Sequence, residues 1–119
     1  MKLALENLPP SLARHRDTLA RCLEAMDRVL PLRRVYLFGS HARGQARSDS
    51  DVDLCLVADG AERQLQTAQR YRQAIWDIRG KPAFTLVPIA PERLKEKEAI
   101  GDFFFRTILT EGVPIATED

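Results

Sequence analysis

Two apolar segments separated by a polar, glycine-containing stretch place the strongest constraint on the fold of this chain. Val-Tyr-Leu-Phe at residues 35–38 is a continuous apolar run closed by Gly39, a pattern typical of a buried strand. A polar stretch follows over residues 40–50, and residues 51–57 (Asp-Val-Asp-Leu-Cys-Leu-Val) then predict a second strand. We therefore expect a sheet at the centre of the fold, with the polar stretch at its edge.

Helical periodicity is found on both sides of these two strands. Ser11 follows two prolines and is expected to be the N-cap of a first helix, which Pro31 ends. A second helix is expected over residues 61–79, with Gly80 at its C-terminal cap. The apolar residues at helical spacing are Leu12, Leu19, Leu23, Met26 and Leu30 in the first helix, and Leu65, Ala68, Tyr71, Ile75 and Ile78 in the second.

Two further strands are expected in the second half of the chain. One covers residues 83–89, after which Pro91 can open a helix at its first turn. The other covers residues 113–115 and should be a short edge strand, because Pro114 cannot donate a hydrogen bond to a ladder. Strands that alternate with helices predict an α/β fold with a small sheet, and a chain of 119 residues is expected to form one domain, over residues 1–119.

The last helix is expected over residues 100–110, with Gly112 as its cap. Its apolar surface is wider than the core of a small domain requires, because two apolar residues lie well round the helix from the main stripe. The stripe consists of Ile100, Phe104 and Ile108, and the two residues outside it are Phe105 and Leu109. Either the helix is wedged between two elements, or it contacts another chain.

Composition and charge narrow the classes of protein that fit this chain. Apolar residues make up 45% and charged residues 29%, with a formal net charge of +1, as in a soluble globular domain. No apolar run approaches the ~20 residues of a membrane span, so we expect a cytoplasmic protein that does not bind membranes. The low net charge makes nucleic acid an unfavoured partner. Cys22 and Cys55 form no metal-ligand cluster and are expected to be ordinary buried thiols.

The polar stretch has the residue types of a phosphate-binding turn. If residues 40–43 begin a helical turn, their free backbone N–H groups form a cradle for an anion, and Gly39 lets a phosphate approach closely. The Ser40 hydroxyl can donate to a phosphate oxygen, and Arg43 is within reach of the same anion. The stretch is not a Walker P-loop, because Gln45-Ala46 replaces the Lys-Ser/Thr pair of that motif.

Asp51 and Asp53 are the candidate metal ligands. Residues two apart on a strand share a face, so the two carboxylates should project side by side, with Cys55 and Val57 on the same face. Like charges in that arrangement repel unless a cation lies between them, and Mg²⁺ takes carboxylate and phosphate oxygens. A lone Asp-x-Asp is usually solvated surface, but a carboxylate pair beside a phosphate cradle is the arrangement for metal-assisted phosphoryl or nucleotidyl transfer.

Taken together, Gly-Ser-His-Ala-Arg-Gly at 39–44 and Ser-Asp-Val-Asp-Leu at 50–54 resemble a known signature. It is the signature of the nucleotidyltransferases related to DNA polymerase β, and more narrowly of the minimal nucleotidyltransferase (MNT) domains. The resemblance covers nearly the whole chain, including the closing Ile-Leu-Thr-Glu-Gly at 108–112. It implies a polymerase β palm-like fold, with a small mixed β-sheet flanked by helices.

The resemblance also implies roles for individual residues. By position, Gly39 and Ser40 would bind the nucleotide triphosphate, while Asp51 and Asp53 would be catalytic and bind Mg²⁺. One position departs from the family: the third carboxylate, expected on the next strand, is replaced by Thr85 in Phe-Thr-Leu-Val. A hydroxyl is a poor proton acceptor, so transfer should be slow, because general-base assistance contributes ~10²–10⁴-fold. Nucleotide binding need not be lost.

Proteins that this chain resembles often pair with a separate helical HEPN protein as the antitoxin of a toxin–antitoxin module. The implied activity is transfer of AMP from ATP to a hydroxyl on such a partner. The alternative is a degenerate binding module that neutralises a partner by complex formation alone. Thr85 and the wide apolar surface of the last helix favour this alternative. An enzyme acting on free nucleotides or a small alcohol is a third hypothesis. The nucleotide preference, and the choice between monomer, homodimer and hetero-complex, stay open.

Overall fold

A mixed five-stranded sheet forms the centre of the structure, a computed structural model that describes residues 1–119. Its strands are β1 (Lys2–Leu3), β2 (Leu32–Phe38), β3 (Val52–Ala58), β4 (Phe84–Ile89) and β5 (Val113–Thr117). Their order across the sheet is β1-β5-β2-β3-β4. Only β3 and β4 run parallel, and every other neighbouring pair is antiparallel. A parallel pair needs a crossover connection, which the helix between β3 and β4 supplies.

Helices cover both faces of this sheet. The helices are α1 (Arg16–Val29), α2 (Gln64–Ala74), α3 (Pro91–Ala99) and α4 (Phe103–Glu111), and two 3₁₀ segments, Leu5–Asn7 and Pro10–His15, precede α1. α1 packs against α2, and α3 packs against α4. The architecture confirms the predicted α/β class with a small mixed sheet. None of these helices has the length and apolar character that a membrane span requires.

β3 divides the interior into two apolar cores. Val52, Leu54 and Leu56 join the larger core beneath α1 and α2. Cys55 and Val57 alternate with them and join the smaller core beneath α3 and α4. This confirms the predicted facing of the strand, which follows from the two-residue period of side chains in a strand.

The first helix begins later than the sequence predicted. Residues Pro10–His15 form a 3₁₀ helix, and the α-helix starts only at Arg16. Ser11 is therefore not an N-cap: its hydroxyl lies 2.9 Å from His41 Nδ1 instead. The prediction of a cap was wrong because the Ser11 hydroxyl bonds to the His41 side chain, which is distant in sequence, and not to the backbone N–H groups of the next turn.

α2 and α4 are both shorter than predicted. α2 ends at Ala74, so Gly80 belongs to a separate turn rather than to a helix cap. Leu65 does not contribute to the core, because its side chain is 83% exposed. Asp102 caps α4 by accepting a hydrogen bond from the Phe105 backbone, at 3.0 Å, which leaves Ile100 outside the helix.

The wide apolar surface of α4 is explained partly by burial. Phe105 is only 6% exposed and belongs to the smaller core, so on this side the helix is wedged against the sheet. Phe103 and Phe104 are 84% and 47% exposed. The aromatic surface that remains outside the core is therefore formed by these two residues.

β5 is an interior strand, which corrects the prediction of an edge. It pairs with β2 on one side and with β1, which the sequence did not indicate, on the other. Pro114 is tolerated there because the register with β2 shifts between Val35 and Tyr36, where Pro114 lies opposite Tyr36. The thiols of Cys22 and Cys55 are free and buried, as expected, and burial raises the pKa of Cys55 to about 12.

Replacing Leu23 by alanine should destabilise the protein by about 2–5 kcal/mol, because the side chain is fully buried in the larger core. The matched control is Leu65→Ala, which removes the same atoms from an exposed position on α2 and should change stability by at most about 0.5 kcal/mol. Urea unfolding of both variants measures the difference. Equal losses of stability would contradict the placement of Leu23 in the core and of Leu65 at the surface.

Candidate active site

The residues after β2 form one helical turn at the edge of the sheet. The Arg43 N–H donates to the Gly39 carbonyl at 3.1 Å, and the Gln45 N–H donates to the Ser40 carbonyl at 2.9 Å. Within the protein, the backbone N–H groups of Ser40, His41 and Ala42 donate to no acceptor. They are therefore available to an anion, as the first N–H groups of a helix are. We call residues 39–44 the phosphate turn.

Gly39 brings the phosphate turn into contact with β3. Its φ of +77° is a conformation that residues with a Cβ rarely adopt. A Cβ at this position would overlap the carboxylate of Asp53. Only glycine fits here, because the backbone must both turn and pass directly beside that carboxylate.

The two candidate metal ligands lie at the start of β3. Asp51 immediately precedes the strand and is exposed, whereas Asp53 is partly buried within it. Burial raises the pKa of Asp53 above its usual range, and the charge of Asp51 raises it further. The Thr85 hydroxyl and the positive charge of Arg43 act in the opposite direction. The net rise shows that the folded chain alone does not fully compensate the charge of Asp53.

Thr85 lies at the position where the resemblance predicts a third carboxylate. It pairs with Asp53 in the register of β3 and β4, and its hydroxyl donates to Oδ2 of Asp51 at 3.2 Å. The Thr85 hydroxyl is therefore a hydrogen-bond donor here, whereas a general base has to accept a proton. No group of three or more His, Cys, Asp or Glu side chains forms a metal-binding cluster in the chain.

Neither of the two other acidic residues near this strand replaces the third carboxylate. Asp59 follows the opposite end of β3 and pairs with Arg33 at 3.4 Å. Asp49 is exposed in the connection between β2 and β3 and forms no hydrogen bond or ion pair within the chain. The candidate metal site therefore consists of the carboxylates of Asp51 and Asp53 with the Thr85 hydroxyl beside them.

His41 connects three segments of the site through hydrogen bonds, a role that the sequence did not reveal. Its side chain is 5% exposed, with Nδ1 2.9 Å from the Ser11 hydroxyl and Nε2 3.4 Å from the Ser50 carbonyl oxygen. The neutral form with hydrogen on Nε2 satisfies both contacts. His41 thus connects the phosphate turn to the N-terminal 3₁₀ segment and to the residue before Asp51. No local pattern marks such a residue, because both partners are distant in sequence.

The remaining predicted residues lie at the same edge. Arg43 is exposed, forms no ion pair, and donates from Nε to the Gln45 side chain at 3.3 Å. The Ser40 hydroxyl forms no hydrogen bond within the protein. Both groups are free to bind an anion. The predicted candidates Gly39, Ser40, Arg43, Asp51 and Asp53 are therefore brought together at one edge of the sheet.

Replacing Gly39 by alanine should destabilise the protein more than the same change at Gly44. Both glycines have a positive φ, which costs a residue with a Cβ roughly 1–2 kcal/mol. At Gly44 a Cβ would meet nothing within 4 Å, whereas at Gly39 it would overlap Asp53. Gly44→Ala should therefore show the backbone cost alone. Denaturant unfolding measures both, and equal losses would contradict the close approach of Gly39 and Asp53.

Comparison with known proteins places this geometry in a family. The nucleotidyltransferase domain family matches residues 19–110. No curated protein matches the chain. A solved structure from Sulfolobus solfataricus, assigned as a nucleotidyltransferase, is 22% identical with a TM-score of 0.53, over 87% of this chain and 81% of that one. A chain from a toxin–antitoxin structure with AMP-PNP is 20% identical with a TM-score of 0.52, over 84% of this chain and 73% of that one. The family match spans most of the sequence and includes the phosphate turn and both carboxylates, so the chain belongs to the nucleotidyltransferase domain family.

Proposed function

We propose that this protein is a magnesium-dependent nucleotidyltransferase that moves AMP from ATP to a hydroxyl of a partner protein. One observation carries the proposal: Gly39 lets the phosphate turn and the Asp53 carboxylate meet at one edge of the sheet. A triphosphate on the turn would thus lie next to the carboxylate pair. Membership of the nucleotidyltransferase domain family supports the same reaction class.

Asp51 and Asp53 are the residues that would hold Mg²⁺. Their donor set fits this ion, because Mg²⁺ is bound through one or two carboxylates together with substrate phosphates and water. The raised pKa of Asp53 points the same way, since a partly buried carboxylate beside a second one favours a neutralising partner. When bound, the ion would supply neutralisation of the charge that develops on the phosphates.

The reaction proposed is an in-line substitution at the α-phosphorus of ATP. The acceptor oxygen forms a bond to that phosphorus, the bond to the β-phosphate oxygen breaks, and pyrophosphate leaves. The free N–H groups of the phosphate turn, the Ser40 hydroxyl and Arg43 hold and orient the triphosphate. The proton of the acceptor hydroxyl is released to water, because Thr85 cannot accept it. We therefore expect slow transfer.

The proposed acceptor is a protein of the HEPN type, with this chain acting as its antitoxin. The fold similarity to a chain from a toxin–antitoxin structure with AMP-PNP, an analogue of ATP, supports this choice. A HEPN protein would present a hydroxyl side chain to the edge of the sheet where the carboxylates lie. The sequence resemblance to MNT antitoxins points to the same kind of partner. For these two reasons we prefer a protein acceptor to a free nucleotide or a small alcohol.

A second candidate function is neutralisation of the partner by complex formation without transfer. The observation that favours it is the hydrogen bond from Thr85 to Asp51, which places a donor where the family uses a carboxylate. In this case nucleotide binding would serve the complex and no covalent product would form. The two candidates differ in whether the partner becomes adenylylated.

Binding of ATP should depend on Mg²⁺ and on the carboxylate pair. We expect calorimetry to detect ATP binding in Mg²⁺, and the Asp51→Asn/Asp53→Asn double variant to lose the metal-dependent part. Asp59→Asn is the matched control, because it removes an exposed carboxylate from the far end of β3 and should leave binding unchanged. A folded wild-type protein that binds no ATP up to millimolar concentrations would overturn the proposal.

Restoring the third carboxylate should raise the rate of transfer. Thr85→Asp places a proton acceptor beside Asp53 and should accelerate release of pyrophosphate from ATP by up to ~10²–10⁴-fold in the presence of a HEPN-type acceptor. Thr85→Asn has the same shape without the base and serves as the control. If the wild type transfers AMP and Thr85→Asp does not increase the rate, the role given to this position is wrong. Neutralisation of the partner without any covalent product would favour the second candidate.

A further inference from the structure

An apolar cavity of about 250 Å³ lies beside the phosphate turn. Gly39 and Arg43 form one side of it, and the other side is formed by α4, with Phe103 and Phe104. Ligand pockets for drug-sized molecules usually measure about 300–1,000 Å³, so this cavity suits a smaller flat group. Three of its lining residues, Gly39, Ala42 and Arg43, belong to the phosphate turn, so the cavity adjoins the place where an anion would bind.

Phe104 presents a fixed aromatic surface in this cavity. Its ring meets Phe38 edge to face at 5.6 Å between centroids, and Phe105 edge to face at 5.1 Å. Phe38 is the residue before Gly39, and Phe105 is buried in the smaller core. Such aromatic pairs favour this geometry, so Phe104 is held in place although it is 47% exposed. The more exposed Phe103 lines the cavity further from the core.

We propose that this cavity binds the base of the nucleotide, stacked on Phe104, while the phosphate turn holds the triphosphate. This inference rests on the proposed function, and it names the part of the substrate that the carboxylates and the turn do not contact. A nucleotide carries a flat aromatic ring one sugar away from its phosphates. The cavity offers a flat aromatic partner, Phe104, next to the residues that would bind those phosphates.

The other exposed aromatic residue provides no such place. Trp76 is 82% exposed and lines a different cavity, together with Arg72 and Phe84. That cavity shares no residue with the phosphate turn or with the carboxylates. The base is therefore assigned to the Phe104 cavity. Since purines offer a larger stacking surface than pyrimidines, ATP and GTP should bind more tightly than CTP and UTP.

The test compares ATP with inorganic tripolyphosphate, which has the phosphates without the base. In Mg²⁺, Phe104→Ala should weaken binding of ATP roughly 5- to 100-fold, the loss expected when a stacked base loses its aromatic partner. Binding of tripolyphosphate should not change. Trp76→Ala is the matched control, because it removes an exposed aromatic residue that lines a different cavity, and it should leave the binding of both ligands unchanged. The purine preference of the wild type should disappear in Phe104→Ala.

A second variant covers the case in which Phe104→Ala fails to fold. Thr107 lines the same cavity from the partly exposed face of α4, so Thr107→Trp should fill the cavity without disturbing the core. It too should weaken the binding of ATP and leave the binding of tripolyphosphate unchanged.

The outcomes separate this inference from the proposed function. If both variants bind ATP as the wild type does, the base lies elsewhere and the proposed nucleotidyltransferase function stands. If these variants instead lose only the binding of a HEPN-type protein, the cavity is a protein contact and the inference is overturned. If the wild type binds neither ligand, the proposed function itself fails.

Discussion

The close approach of the Gly39 backbone to the Asp53 carboxylate is the contact on which the rest of the site depends. It exists because β2 and β3 are antiparallel neighbours whose register sets Phe38 opposite Asp53. The chain must leave β2 in a turn that only glycine adopts easily, and it must do so beside a side chain that leaves no room for a Cβ. The phosphate turn and the carboxylates are thereby fixed to the same edge of the sheet.

This arrangement concentrates groups that the folded chain does not satisfy by itself. Asp53 is partly buried next to a second carboxylate, and three backbone N–H groups of the turn have no acceptor within the protein. A partly buried charge that lacks a partner opposes stability, and groups of this kind are common at sites that bind a ligand. Thr85 relieves part of the repulsion by donating a hydrogen bond to Asp51, and its hydroxyl is a poor proton acceptor.

The strands and the candidate residues were predictable because local pattern decides them. Alternation along β3 specifies two faces, and the structure places Leu54 and Cys55 in different cores accordingly. The errors concern residues with distant partners. Ser11 looks like a helix cap, but it contacts His41. Leu65 fits the same helical stripe as Tyr71 and Ile75, but those two are buried in the core and Leu65 is exposed. β5 looks like an edge strand because of Pro114, but the sequence does not show that β1 extends the sheet beyond it.

The sequence by itself determined the α/β class, the order of the central elements and the chemical types at the site, because spacing along one strand or one turn is a local property. Only the tertiary structure decided how these pieces meet. It brought the Gly39 turn against Asp53, gave the Thr85 hydroxyl a hydrogen bond to Asp51, and positioned Phe104 beside the turn. Each of these contacts joins residues far apart in the chain, and strand register and helix packing set them rather than any local preference.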